Sequence, residues 1–387
     1  MKRIFLFIMS TIKFILNIFL FPIVLLSCIV ARYLERKIDI GIGPLPLINN
    51  VYWKKALKLK GYTVETFVNT VYFITDEFDF IYDRENHKIY HFFPILFFIR
   101  MIFRYKAIYI YFNGGPLQTV PIYRILEPVL LKIAGIKVVV MPYGSDSQIF
   151  DRTPNKLTVH SLCQDYPDFF KYKYTMIRNN VTRWSRFADI VIGTMDSVDY
   201  LHFWNRIRQC HFALDTGKIQ PVYNPPKDVI RILHAPNHKE IKGTKFIERA
   251  INELRDNGYQ IEYIFKQGLP NDELIKLIQT ADIVIDQLIM GWHGMFALEA
   301  MAAGKPTICY MREDLVSLYE DAECVGRGEI PLINAKPGTI KMVLQNMFEN
   351  KEMWNEQGRK SRAYVEKYHS LNAVGDFFDE INRSIAV

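Results

Sequence analysis

The chain has 387 residues, half of them hydrophobic and 23% charged, which excludes a disordered or fibrous protein and predicts two domains rather than one small core. Its net charge of +7 is mild, and no dense patch of arginines and aromatics marks a nucleic-acid surface, so nucleic acid is not expected as a partner. The five cysteines, Cys28, Cys163, Cys210, Cys309 and Cys324, are scattered without the paired spacing of a zinc site, and no metal is expected.

From the N-terminus, Ile4 to Val30 is almost wholly apolar, broken by Lys13, Asn17 and Pro22, and Phe14 to Ala31 is just long enough to cross a bilayer core. Residues 1–34 therefore read as a membrane anchor segment, against the alternatives of a buried hydrophobic helix and a leader cleaved near Leu25-Leu-Ser-Cys28. Lys2 and Arg3 precede the run while Arg32, Arg36 and Lys37 follow it, a slight excess that favours a cytoplasmic main body. A second apolar run, Phe92 to Phe103, is shorter and reads as a core or interfacial helix.

Residues 35–218 then alternate. Ile38 to Gly43 is a strand, Val51 to Lys60 a helix closed by Gly61, and Thr63 to Phe67 a strand. Ala107 to Phe112 is a strand, Tyr123 to Ala134 a helix stopped by Gly135, Lys137 to Met141 a strand, and Asp189 to Ile192 another after a helix ending near Phe187. The alternation predicts a parallel sheet covered on both faces. Gly41-Ile-Gly43 follows a strand as a dinucleotide loop does, yet Pro44-Leu-Pro46 stands where the third glycine belongs, which disfavours an NAD enzyme. Gly43 either faces a ligand cleft or makes an ordinary tight turn. Asp146, in Pro142-Tyr-Gly-Ser-Asp146, either orients an acceptor hydroxyl or caps its own loop.

Gln220 to Pro226 reads as a linker into a second alternation over 219–368. Val229 to His234 is a strand, Thr244 to Asn257 a helix with Thr244 as N-cap, Ile261 to Lys266 a strand, and Asn271 to Thr280 a helix. Lys336 to Glu349 and Glu352 to Tyr368 are further helices, and the last, Ala373 to Ile385 within 369–387, is expected to pack back on the first domain.

Two loops of this half carry chemistry. His234-Ala-Pro-Asn-His-Lys-Glu-Ile-Lys-Gly243 joins a strand to a helix, with Lys242 just before the helix N-terminus. Ala281 to Leu288 is a strand-length apolar run, Gly291-Trp-His-Gly294 a turn, and Met295 to Ala303 a helix, an anion-binding order. Glu299, about one turn into that helix, is placed to accept hydrogen bonds from a ribose. His160, His234 and His293 are each a candidate base or a packed side chain, and Trp292 reads as packing.

Gly294 followed by Ala297-Leu-Glu-Ala-Met-Ala-Ala-Gly-Lys-Pro306 resembles the donor-binding motif of retaining glycosyltransferases of family 4. The resemblance implies the GT-B architecture, two Rossmann-like domains facing across a cleft, and metal-independent transfer of a sugar from a nucleotide-diphosphate-sugar donor, with no other cofactor. In that family two glutamates stand eight positions apart; Glu299 matches the second, on the ribose, whereas the first falls on Gly291. Lys242 and Gly243 match the pair on the donor diphosphate, and the arginine usual upstream is absent, with Asn237 and His238 in its neighbourhood. With the anchor, this implies a membrane enzyme acting on a lipid-linked or other saccharide acceptor in cell-envelope polysaccharide or glycan biosynthesis. The alternatives are a non-catalytic nucleotide-sugar-binding or scaffold protein of the same fold, and a nucleotide-sugar epimerase.

Overall fold

The computed structural model describes residues 2–72, 75–82, 92–225 and 228–387, without the side chains of residues 2–15 and 169–170; Pro226, at the end of the predicted linker, lies outside the described residues. The chain opens with α1 (Lys2–Ala31), β1 (Ile38–Ile42), α2 (Ile48–Leu59), β2 (Val64–Val68), β3 (Phe80–Ile81) and α3 (Phe93–Arg104). It continues with β4 (Tyr105–Ile110), α4 (Tyr123–Ala134), β5 (Lys137–Val140), α5 (Lys156–Asp165), α6 (Pro167–Phe187), β6 (Ile190–Thr194) and β7 (Arg206–Arg208). These seven strands form one parallel sheet in the order β3-β2-β1-β4-β5-β6-β7. Ile40 of β1 sits between Val64 of β2 and Ala107 of β4. Helices cover the sheet, so β4, β5 and β6 are buried nearly throughout and read as continuous apolar runs.

The second half repeats the plan on a smaller scale. It runs β8 (Ile230–His234), α7 (Lys239–Lys242), α8 (Thr244–Asp256), β9 (Ile261–Phe265), α9 (Asn271–Thr280), β10 (Ile283–Ile285), α10 (Met295–Ala302) and β11 (Thr307–Ile308). Four strands pair in parallel in the order β11-β10-β8-β9, followed by α11 (Glu313–Asp321), α12 (Ile340–Glu349), α13 (Trp354–His369) and α14 (Leu371–Ser384). α8 buries Ile247, Ala250, Ile251 and Leu254 on one face, the stripe its spacing predicts.

α14 returns to the first sheet and packs on α2. There Tyr109 donates its hydroxyl to Asn382 at 2.7 Å and Tyr62 to Asp379 at 2.8 Å. One apolar core runs from Ile40 and Tyr109 through Phe212 to Trp292, Leu298 and Phe378, so both sheets share it.

Three local expectations are corrected. The strand predicted over Ala281 to Leu288 shortens to β10, because the Gln287 side chain accepts the N–H groups of Ile289 and Met290, both at 2.7 Å, and turns the chain. Thr244 is not the N-cap of α8. Gly243 holds that place at φ +76°, and the Thr244 hydroxyl bonds His234 instead. The predicted membrane span has no support: among the described residues no helix is long and apolar enough to cross a membrane. α1 buries Val24, Cys28 and Ala31 in the core between α3 and α4 while Phe19, Ile23 and Leu26 face outward.

Candidate functional site

β8 delivers its last residue, His234, into a closed set of hydrogen bonds: Nδ1 lies 2.9 Å from the Ile285 carbonyl and Nε2 3.0 Å from the Thr244 hydroxyl. Both nitrogens are used, and burial pushes its pKa down to about 4, so His234 is a packed histidine that ties β8 to β10. The short helix α7 follows and ends at Gly243. A Cβ there would come within 3.3 Å of Leu288, whose N–H donates to the Lys242 carbonyl at 3.1 Å. The glycine thus lets the two chemistry-bearing loops touch.

At that contact Lys242 Nζ lies 2.6 Å from Asp286 Oδ1. The other oxygen, Oδ2, accepts the Gly294 N–H at 3.0 Å, the amide at the head of α10. Burial alone would raise the Asp286 carboxyl; the charge and hydrogen bond of Lys242, with the Gly294 N–H, outweigh it and hold the pKa below the usual carboxylate range. An internal carboxylate therefore sits at the helix terminus that the sequence assigned to phosphate.

Glu299 lies further along α10, 3% exposed, and accepts a hydrogen bond from Asn271 Nδ2 at 2.6 Å. Burial pushes its carboxyl up to about 7, the Asn271 bond opposes the rise, and the Asp286 charge adds to it. Asn271 in turn lines a cavity of about 490 Å³ shared by the two domains, with Tyr52 and Lys55 of α2 opposite Asp272 and Lys276 of α9. A second cavity, about 830 Å³, is lined by Asn155 and Lys156 of the first domain and by Tyr310, Arg312, Asn334 and Lys336 of the second.

Gly291 has φ +94°, and a Cβ built on it would meet the Arg312 side chain at 2.6 Å. Where the resembled motif carries its first glutamate, this chain packs an arginine across a left-handed glycine. The Arg312 guanidinium is held by Asp199 of the first domain and by Asp314. His293, between the two glycines, is buried with no hydrogen-bond partner for either ring nitrogen among the described residues, and burial lowers its pKa to about 4. Trp292 packs on Tyr319 with ring centroids 4.9 Å apart.

The remaining sequence candidates sit apart from this constellation. A Cβ on Gly43 would strike the Phe67 carbonyl at 2.0 Å, so that glycine lets β1 pack closely on β2. Asp146 is 1% exposed, and its oxygens accept the N–H groups of Phe112, Tyr143 and Gly144 at 3.0, 3.0 and 3.1 Å. That is the capping arrangement, and it ties the loop after β5 instead of presenting a carboxylate to an acceptor. Asn237 is exposed, and its carbonyl accepts from Gln267 at 3.4 Å. His160 is exposed on α5.

What sequence reading missed is the hold of α5 on the second domain. Asp165 accepts the Ile241 N–H at 2.8 Å, the Tyr166 hydroxyl pairs with His238 Nε2, and Asn155 donates to the Ile289 carbonyl at 2.6 Å. Asp165 stands 76 positions from Ile241, and no local pattern could have linked them. Among the described residues no group of three or more His, Cys, Asp or Glu side chains could hold a metal ion.

No protein-family model matches the chain, and no curated protein matches it. Solved structures do. The Anabaena protein HepE in complex with UDP-glucose superposes with a TM-score of 0.57 at 12% identity, over 90% of this chain and 100% of that one. Sucrose-phosphate synthase from Thermosynechococcus elongatus gives 0.58 at 13%, over 90% and 99%. The S. aureus protein MnaA with UDP gives 0.51 at 12%, over 91% and 97%. Identities this low speak to fold alone, and the fold is α/β of the GT-B kind, built on two parallel sheets.

Proposed function

We propose that the chain is a glycosyltransferase that moves a sugar from a nucleoside-diphosphate donor to a saccharide acceptor, with retention at the anomeric carbon and without a metal. The carrying observation is the meeting of Lys242, Asp286 and the Gly294 amide at the head of α10, with Glu299 buried further along the same helix. Lys242 would leave Asp286 for the donor diphosphate, and Glu299 would exchange Asn271 for the ribose hydroxyls. As the bond from the anomeric carbon to the diphosphate oxygen breaks, its electron pair stays on the diphosphate, where the Lys242 cation lowers the barrier. The acceptor oxygen bonds the carbon and gives its proton to the diphosphate. HepE was solved with UDP-glucose and MnaA with UDP, which supports a uridine diphosphate sugar as the first donor to try. The apolar outer face of α1 supports a lipid-linked acceptor, in envelope polysaccharide or glycan assembly. On this reading the protein is membrane-associated with its main body facing the cytoplasm, where nucleotide sugars are found.

Gly291 favours one second reading. With Arg312 packed where the first motif glutamate would project, the chain on that reading binds a nucleotide sugar without turning it over. Thermal unfolding of the detergent-solubilised protein with UDP-, GDP-, ADP- and CMP-sugars, followed by turnover assays with the stabilising donor, decides. A shift with turnover supports transfer, a shift without turnover supports the binding protein, and no shift with any donor sinks both.

A further inference from the structure

We propose that α1, α3 and α4 form a seat that lies flat on an anionic lipid surface, with α1 in the plane of the headgroups rather than across the bilayer. Among the outward residues of α1 are Leu16, Phe19, Ile23, Leu26 and Val30, 40, 72, 56, 61 and 43% exposed, and Tyr33 in the turn that follows is 81% exposed. They recur at alternating steps of three and four, one continuous apolar stripe on the solvent side of a docked helix. It is widened by Leu96 of α3 and by Ile125 and Val129 of α4, all exposed, on the two helices that flank α1. An apolar surface of this extent marks an interaction site.

Docking rules against a span. The inner face of α1 is fixed from Asn17 onward, where the Tyr123 hydroxyl donates to the Asn17 carbonyl at 2.9 Å and Val24, Cys28 and Ala31 are fully buried.

Charge selects the partner. α1 and α3 carry no acidic residue, and the only one on α4, Glu127, is buried. Arg124 and Lys132 of α4 are exposed, and α6, packed on α4, adds exposed Lys171, Lys173 and Arg186 against one exposed acid, Asp168, while its Arg178 pairs with Asp151 at 3.4 Å. An apolar stripe bordered by cations fits acyl chains beneath anionic headgroups. A second copy of this chain would instead bring like charges together.

This seat deepens the membrane location proposed for the chain and stands apart from the transfer reaction. The test is flotation of the full-length protein with vesicles of phosphatidylcholine alone or mixed with phosphatidylglycerol. Binding to the mixed vesicles and release by alkaline carbonate are expected. Phe19→Asp with Ile23→Asp should lower binding by about tenfold or more, since two large apolar side chains lose their burial. Lys171→Glu with Lys173→Glu should remove the preference for phosphatidylglycerol, and both variants should keep the parent's unfolding midpoint and its donor-induced shift. Resistance to carbonate overturns the seat and leaves the membrane location standing. Absence of flotation on either vesicle overturns both, as does a detergent-free dimer that Phe19→Asp with Ile23→Asp converts to monomer. Equal binding to both vesicles overturns the charge selection.

Discussion

The carboxylate of Asp165, the last residue of α5 in the first domain, accepts the main-chain N–H of Ile241 in the second domain at 2.8 Å. It takes the amide of Glu240 as well, at 3.4 Å, so it acts on α7 as an N-cap supplied by the other domain. Lys242 follows directly, which makes its position depend on the closure of the two domains. Asp165→Ala should lower kcat/KM by about tenfold, the cost of a lost cap. Asp165→Asn, which keeps an acceptor oxygen, should retain most of the activity. Equal losses in both variants would show that the negative charge, not the cap, is what matters.

Lys242 and Asp286 make separable predictions for activity and stability. Lys242→Met removes the cation proposed to stabilise the leaving diphosphate, and turnover should fall by about a hundredfold or more. It also strands the fully buried Asp286 carboxylate, at a cost of about 3 kcal/mol in folding stability. Adding Asp286→Asn should restore most of that stability without restoring turnover. Denaturant unfolding beside kinetics reads the two effects, and recovery of activity in the double variant would rule Lys242 out.

The Glu299 carboxyl, pushed up to about 7 by burial, sets a pH dependence for donor binding. The raised pKa means that the proton is favoured in the empty site below neutrality, whereas two ribose hydroxyls need the ionised carboxylate as acceptor. Affinity for a nucleotide sugar, whose phosphates hold a fixed charge over this range, should therefore rise by about tenfold between about pH 6 and about pH 8. Glu299→Gln should bind more weakly and show no such rise in calorimetric titrations. A wild-type profile flat over that interval would contradict the ribose role.

Restoring the motif glutamate should not repair anything. Gly291→Glu places a side chain at φ +94° against Arg312, so a loss of about 1–3 kcal/mol is expected from strain alone. Gly291→Ala should cost nearly as much, because the conflict begins at Cβ. A Gly291→Glu protein as stable as the parent and faster in turnover would mean that Arg312 moves aside easily.

Regular elements were legible wherever a local rule decided them. α4 covers Tyr123–Ala134, stopped by Gly135 at φ +73°, and α9 covers Asn271–Thr280, both as the apolar spacing and terminal residues predict. α5 was invisible, since little of its surface is apolar and it packs on α7 of the other domain as well as on its neighbour α6. In the site, the strand-loop-helix order around Gly294 was readable. The capture of Lys242 by Asp286 and the cover of Arg312 over Gly291 were not, because each joins residues separated by a whole element.

The sequence by itself determined the alternation of strands and helices, the glycines that end helices, and the two loops that bring Lys242 and Gly294 to helix termini. Those features follow from periodicity and backbone freedom, which act within a few residues. Only the tertiary structure decided that Gly43 and Asp146 serve packing and capping, and that an internal carboxylate occupies the α10 terminus. It also decided that the first apolar helix docks by one face instead of standing free. Burial and hydrogen bonding between packed elements set those outcomes, and they depend on which side chains the fold brings together.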